Sequence, residues 1–306
     1  MIQDTKYKLL LVDGSALLHR AYHAYPPLTS KSGQVVGAVY GVASMLYSAL
    51  VEVNPSHVMV AWDLPKPTFR HEKYVGYKAQ RPKADQEMVE QIPIVKSVIE
   101  AMGILQSEVE GYEADDIIGT LSRIEIDGEV VILTGDQDTM QLVGEHVSIL
   151  TPPKGKLPAK MYGVDEVREK YGVTPGQIVD YKALIGDVSD NIPGIAGVGP
   201  KTASTLLSRF KTLEQIYDHI EEMDDNLKQK LISGKDSAFL SQDLSRIVTD
   251  MPLSIQLADM EYVDIKKDLL KTNLEELGFK SLIRRIWGDE ERTTKSKIPD
   301  NQMGLF

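Results

Sequence analysis

Carboxylates carry the chemical signal of this sequence. Asp13 closes the apolar run LLLV, Asp63 follows VMVAW, and Asp136 and Asp138 follow VVILTG. GYEADDIIG adds Glu113, Asp115 and Asp116 at a helix start, and LIGDVSDNIPG adds Asp187 and Asp190. So many like charges in one crevice drive protonation unless cations join them. Hard oxygen donors with no Cys or His beside them favour Mg²⁺ or Mn²⁺ over zinc. Two such ions about 3.5–4 Å apart can make hydroxide from water and stabilise both attacking and leaving oxygens of a phosphodiester. Plainer roles exist for single acids: Glu113 suits a helix cap and dipole partner, and Asp136 with Asp138 could be a solvated loop. Three separate apolar runs that all end in acid are harder to explain that way. Glu221, Glu222, Asp224 and Asp225 have no apolar strand behind them and read as a solvated face.

A second signal is basic. From Lys66 to Lys83 (KPTFRHEKYVGYKAQRPK) six Lys/Arg stand against one acid, interleaved with Phe69, Tyr74 and Tyr77. That mixture suits a single strand, whose phosphates take the cations and whose bases stack on rings. A third is GIAGVGPKTAS, Gly194 to Ser204, which is neither a Walker loop, since Pro200 precedes Lys201, nor a dinucleotide fingerprint. It suits a hairpin presenting backbone N–H groups to phosphate, with Lys201, Arg209 and Lys211 adding charge; a plain helix connection is the simpler alternative. DQDT imitates a phosphatase Asp-x-Asp motif, but Met140 stands where that motif needs Thr. Ser15 and Ser189 lack a partner His, and His19, His23 and His71 read as surface or substrate-facing groups.

The elements that must position these groups follow from periodicity. Lys8–Val12, His57–Trp62 and Val130–Leu133 read as buried parallel strands, with helical segments Gly37–Val53 and Glu87–Met102 between them. The order predicts an α/β fold, a twisted and mainly parallel sheet with helices on both faces. Ligands of such sheets lie beyond the carboxyl ends of the strands, where all three acid-bearing junctions fall. The Pro- and Lys-rich stretch Thr151–Lys160 marks a boundary. Helices are expected over Asp165–Tyr171, Pro175–Ile185, Lys201–Phe210, Leu213–Ile220, Asp236–Thr249 and Ile265–Leu277, then a polar, disordered tail from Glu290.

Composition sets the outer limits. The 306 residues, 42% hydrophobic and 26% charged, are those of a globular chain; the absence of cysteine removes disulfides, thiolate zinc sites and thiol nucleophiles. No apolar run approaches the roughly 18 residues of a membrane span, and a cytosolic protein is expected. The net charge of −11 seems hostile to nucleic acid, yet setting aside the nine acids above leaves −2. The cations are concentrated at Lys66–Lys83, Lys201–Lys211 and Arg284–Arg285.

LLLVDGSALLHRAYHAYPPL, FRHEKYVGYKAQRP, GYEADDIIGTL, LTGDQDTMQL, KALIGDVSDNIPGIAGVGPKTA and ELGFKSLIRRI together, in this order and spacing from about Lys8 to Ile286, resemble the 5′-nuclease domain of bacterial DNA polymerase I, in the flap endonuclease family. The resemblance implies a PIN-like, resolvase-like sheet domain over 1–160 with a helical arch at about 66–90. It further implies a helical domain over 161–288 with a helix-hairpin-helix at about 185–211, and a tail at 289–306. The implied activity is a structure-specific 5′→3′ exonuclease and 5′-flap endonuclease acting on branched, nicked or gapped DNA and on RNA–DNA hybrids, in primer removal and flap repair. Alternatives of other classes are a DNA-structure-binding module without turnover and a PIN-like ribonuclease.

Carried over by position, Asp13, Asp63, Glu113, Asp115 and Asp116 would serve one Mg²⁺ site and Asp136, Asp138, Asp187 and Asp190 a second, with Mn²⁺ able to substitute. Arg20, Lys78 and Arg81 would draw in the scissile phosphate and Tyr77 would stack on the terminal base. Arg70 and Lys73 would guide the 5′ strand. Gly194, Gly197, Gly199, Lys201 and Thr202 would hold duplex, with a K⁺ ion at the hairpin. Gln137 departs from the basic residue usual in the family. With no polymerase motifs in these 306 residues, either a separate nuclease or a truncated polymerase is expected; Gln302, Met303, Gly304, Leu305 and Phe306 resemble a sliding-clamp peptide, which favours a separate, monomeric, cytoplasmic, nucleoid-associated bacterial nuclease working beside DNA polymerase I in trans.

Overall fold

The computed structural model describes residues 7–155, 157–262 and 267–288. The described residues open with strand β1 (Tyr7–Asp13), which runs directly into helix α1 (Gly14–Ala24). Then come α2 (Gly37–Val53), β2 (His57–Ala61), α3 (Phe69–Lys73), α4 (Gln86–Ala101), β3 (Leu105–Ser107), α5 (Ala114–Leu121), β4 (Gly128–Leu133), β5 (Val147–Thr151) and β6 (Lys160–Tyr162). Helices follow: α6 (Val164–Tyr171), α7 (Ile178–Ile185), α8 (Pro200–Phe210), α9 (Leu213–Asp218), α10 (Asp225–Ser233), α11 (Lys235–Ser245), α12 (Lys267–Glu276) and α13 (Lys280–Trp287). No helix among the described residues is long and apolar enough to cross a membrane.

The sheet order is β3-β2-β1-β4-β5-β6, parallel except for β6, which runs antiparallel to β5. Side chains alternate across a strand, and β1 uses both faces. Leu9 and Leu11 enter one core with Met59, Ile132, Ile117 and Ile118, which continues into Leu184 and Leu207 of the later helices. Leu10 and Val12 enter the other core, with Leu17, Val42, Leu46 and Val98 of α1, α2 and α4. Each buried Leu of this kind contributes about 1.5–3 kcal/mol. Val12 pairs with both Val60 and Leu133, so β1, β2 and β4 end level. Their acid-bearing extensions therefore emerge at one edge.

The sheet extends past the expected boundary. β6 pairs Lys160 with Thr151 and Tyr162 with Ile149, so the Pro- and Lys-rich loop is an edge hairpin inside the sheet. β3 and β6, three residues each, have no apolar run to announce them. α11 stops at Ser245, four residues before the expected end. The cause is tertiary: Arg70 takes the carbonyls of Leu244 and Arg246, and Val248 donates to Asp116. The helices after β6 do not all pack among themselves. Leu270, Leu274, Phe279 and Leu282 of the last two helices and their link join the core of α2 and α4, and Arg285 donates to Ser44 and Ser48. The expected tail lies outside the described residues.

Candidate active site

Asp13 is both the last residue of β1 and the cap of α1. Its Oδ1 accepts the Ala16 N–H at 2.8 Å and its Oδ2 accepts the Thr134 hydroxyl at 2.8 Å. Asp63, two residues past β2, accepts the Ala114 N–H at 2.8 Å and so caps α5. Asp115 lies in the first turn of α5, and its buried Oδ1 has no hydrogen-bond partner. Asp136 and Asp138 occupy the turn after β4, where the Asp136 carboxylate accepts the Asp138 N–H at 2.8 Å. Strand ends thus assemble one carboxylate group from four chain segments.

The charges of this group interact strongly. Burial, reinforced by Asp63, pushes the Asp13 carboxyl up to about 7. Burial likewise lifts Asp138 to about 7, with Asp136 adding to the rise and Lys182 opposing it. Asp115 is raised well above the usual carboxylate range by burial and by the charges of Asp136, Asp13, Asp63 and Asp138. An excess of negative charge in a low-dielectric recess calls for a cation. Even so, among the described residues no three acids or imidazoles are gathered closely enough to hold a metal ion as they stand.

Lys182 explains part of that spacing. This α7 residue, which the motifs did not single out, donates to Asp138 and, at 2.5 Å, to Asp187. Burial works against its charge, but the two acids hold it more firmly protonated than a free lysine. Asp187 is correspondingly lowered to about 2, burial being outweighed by Lys182 and by Ser189. The available signal was a lysine inside the apolar run IVDYKALI, five residues before an acid.

Glu113 and Asp190 share a second set of partners, and Arg81 feels both Asp190 and Asp136. Lys78 Nζ donates to Glu113 at 2.9 Å, and Arg81 donates to Asp190. The Tyr77 hydroxyl lies 3.1 Å from Glu113 and 3.2 Å from Asp190, so its single proton serves one carboxylate at a time. Burial and these two charges raise its pKa. Lys78 adopts a left-handed φ of 53°, while its N–H reaches the Asp190 carbonyl at 2.9 Å. The division of acids expected from the motifs, Asp13 through Asp116 against Asp136 through Asp190, is therefore not the division of contacts.

Four expected roles change. Asp116 is 0% exposed and accepts both Arg70 guanidinium bonds plus the N–H groups of Glu113 and Val248, which leaves no oxygen for a metal. Arg70, 2% exposed, cannot guide a strand. Tyr77 is equally enclosed, its ring edge-on to His71, and cannot stack on a base in this conformation. Gly194 is buried, with its N–H on Ser241 and its carbonyl on Ser237, so it shapes the hairpin rather than facing phosphate. Other placements agree better with solvent-side roles. Lys73 is exposed and pairs with Asp243. Gly197, Lys201 and Arg81 are exposed, and Gly199 and Thr202 are half-buried around the start of α8. Arg20 donates to the Pro153 carbonyl at 2.6 Å and lies beside Gly135. Gln137 accepts a hydrogen bond from Tyr171 at 2.6 Å. Gln302, Leu305 and Phe306 lie outside the described residues.

A hollow of about 610 Å³ lined by Ile124, Asp127 and His146 sits at the amino ends of β4 and β5, away from the acids. Residues 8–172 match the family model described as the 5′-3′ exonuclease N-terminal resolvase-like domain, and residues 173–268 match the 5′-3′ exonuclease C-terminal SAM fold. The chain belongs to the 5′-3′ exonuclease family. That places the family's sheet and helical modules on β1 to α6 and on the helices after it. Among its relatives, DNA polymerase I of Bacillus subtilis (strain 168) is 41% identical over 285 residues, which cover 92% of this chain and 32% of that protein. DNA polymerase I of Bacillus caldotenax is 42% identical over 92% of this chain and 32% of its own length. The chain therefore spans about a third of these relatives. The bacteriophage T5 D15 flap endonuclease, solved in a pseudo-enzyme-product complex with DNA and metal ions, has the same fold. It gives a TM-score of 0.66 at 21% identity over 89% of this chain and 99% of that one. The catalytic core of Rad2 with DNA substrate gives 0.58 at 16% identity, covering 90% and 88%.

Proposed function

We propose that this member of the exonuclease family is a divalent-metal-dependent, structure-specific 5′ nuclease. Its substrates are branched, nicked or gapped DNA and RNA–DNA hybrids, and its reaction is phosphodiester hydrolysis. The observation that carries the reading is Asp115: a buried carboxylate oxygen without a partner, inside a group of five mutually repelling acids at the strand ends. Hard oxygen donors of this kind suit Mg²⁺, with Mn²⁺ as a substitute. Asp13, Asp63, Asp115, Asp136 and Asp138 would hold the ions, and Asp187 joins once Lys182 releases it. Two bound ions would supply a water-derived nucleophile and charge neutralisation at the reacting phosphate.

The chain's own residues do the rest. Lys78 and Arg81, tethered to Glu113 and Asp190 at the rim, present cations to an incoming phosphate and can turn toward it. Arg20 borders the Asp136 turn from the other side. Lys73 on α3 lies over Phe69 and is exposed to a passing strand. Gly197, Gly199, Lys201 and Thr202 offer the start of α8 to duplex phosphate, with a K⁺ ion at the hairpin carbonyls. The two metal ions, the monomeric state, a bacterial cytoplasmic and nucleoid setting, primer removal beside DNA polymerase I, and clamp capture by Gln302, Leu305 and Phe306 belong to the same reading.

The deciding experiment incubates the chain with labelled 5′-flap DNA, with and without Mg²⁺, beside Asp115→Ala. Metal-dependent release of the flap by the parent chain alone is expected. Binding without cleavage would leave a DNA-structure-binding module, and cleavage of RNA only would favour a PIN-like ribonuclease.

A further inference from the structure

The edge of the sheet farthest from β3 carries a group of lysines that none of the roles above uses. Lys160 at the start of β6 places its ammonium 4.7 Å from the centre of the Tyr162 ring, and Lys170 of α6 places its own 5.1 Å from the same ring. Lys170 also lies 4.9 Å from the Tyr171 ring. Lys154, in the hairpin between β5 and β6, completes the group. All three lysines are exposed, and none makes an ion pair among the described residues. Burial, then the charges of Lys160 and Lys154, lowers the pKa of Lys170. Of the nearby acids, Glu166 accepts the Gly163 N–H at 2.9 Å and also feels the charge of Lys160, and Asp165 faces Arg168 at 3.4 Å. Two cations on one aromatic ring repel each other, and a polyanion relieves that repulsion.

The group is continuous with the site in two directions. Tyr171, under Lys170, donates to Gln137 between Asp136 and Asp138, and Arg20 holds the carbonyl of Pro153, next to Lys154. At the same carboxyl end of α6, Gly172 abuts Ser204, whose hydroxyl donates to the Lys201 carbonyl in α8; a Cβ at Gly172 would lie 3.3 Å from that of Ser204. A single surface thus runs from the start of α8 across the end of α6 to β6.

We propose that Lys154, Lys160 and Lys170 form a phosphate-binding track for the nucleic-acid duplex arm that the glycine hairpin grips, extending that grip from α8 to the sheet edge. The partner is a polyphosphate backbone, bound without base readout because the ring faces are already covered by cations. The proposal rests on the nuclease reading above.

Binding of 5′-flap DNA by the full chain, in Ca²⁺ to prevent cleavage, is measured against salt for the parent, the Lys154→Ala/Lys160→Ala/Lys170→Ala variant and its Lys→Arg counterpart. Each is tested with a long duplex arm and with that arm cut to a few base pairs, and thermal melting confirms folding. On the long arm the alanine variant is expected to bind about tenfold more weakly, with a log Kd against log salt slope shallower by about 2–3. The arginine variant keeps the parent slope, and on the short arm all three chains coincide. Equal affinity and slope for parent and alanine variant on the long arm overturn the track, as does an equal loss on both substrates. A parent that neither binds nor cleaves flap DNA instead overturns the nuclease reading itself.

Discussion

The guanidinium of Arg70 meets the carboxylate of Asp116 in a two-bond fork, each bond 2.7 Å, sealed between α3, α5 and the segment after α11. Arg70 is held more firmly protonated than usual: burial opposes its charge, but Asp116 outweighs it. Removing one member strands the other charge in the interior, which costs about 3–5 kcal/mol. Arg70→Met and Asp116→Asn are each expected to lower urea stability by about that amount, and the double variant by less than the sum. Additive losses would show that the pair is not coupled.

Lys182 is the counter-ion of two acids. Lys182→Met leaves Asp138 and Asp187 facing each other and is expected to reduce metal-free stability at pH 8 by about 3 kcal/mol. The rise in melting temperature on adding Mn²⁺ should grow, because no ammonium has to be displaced. Melting curves in chelator and in Mn²⁺ measure both effects.

The pH dependence follows from the two raised carboxyls. Asp13 and Asp138 stand at about 7 when folded, against an ordinary aspartate value of 3.8. Between roughly pH 4 and 7 the folded chain holds more protons than the unfolded one, so these groups lower stability as pH rises through that window. Asp187, lowered to about 2, acts oppositely: its contribution is complete above about pH 4 and is lost on acidification toward 2. In chelator the melting temperature should fall from pH 5 to pH 8, and saturating Mg²⁺ should restore it at pH 8.

Asp115 trades stability for function. Asp115→Asn removes one of five repelling charges and is expected to stabilise the metal-free chain by about 1–2 kcal/mol while cutting flap cleavage about a hundredfold or more. Urea unfolding and a single-turnover cleavage assay test the two halves separately.

Two glycines of the hairpin separate shape from contact. At Gly194, with φ of 61°, a Cβ would lie 2.2 Å from the Gly186 nitrogen, and Gly194→Ala is expected to cost about 2–4 kcal/mol. A Cβ on Gly199 meets nothing within 4 Å, so Gly199→Ala should melt like the parent and weaken only duplex binding. Parallel melting and DNA titrations distinguish them.

Much of the architecture was legible because apolar strands and acids are local signals. Lys8–Val12, His57–Trp62 and Val130–Leu133 announced three central strands by burial pattern, and the acids after them announced a shared edge by the rule of parallel sheets. The helix over Gly37–Val53 appears with those same ends. Three-residue edge strands such as β6 have too little sequence to carry a period, and the end of α11 was set by Arg70 from 174 residues away in sequence, the separation of its Leu244 contact.

What tertiary structure alone decided is which charge meets which. Asp115 and Asp116 are neighbours of one type, yet the helix turns one toward the acid group with an oxygen unpartnered and the other into the Arg70 fork. Residue type determined that cations would be needed among these acids. The fold determined where they come from, because a charge is satisfied by whatever lies within a few ångströms, and that distance is set by packing rather than by position in the chain.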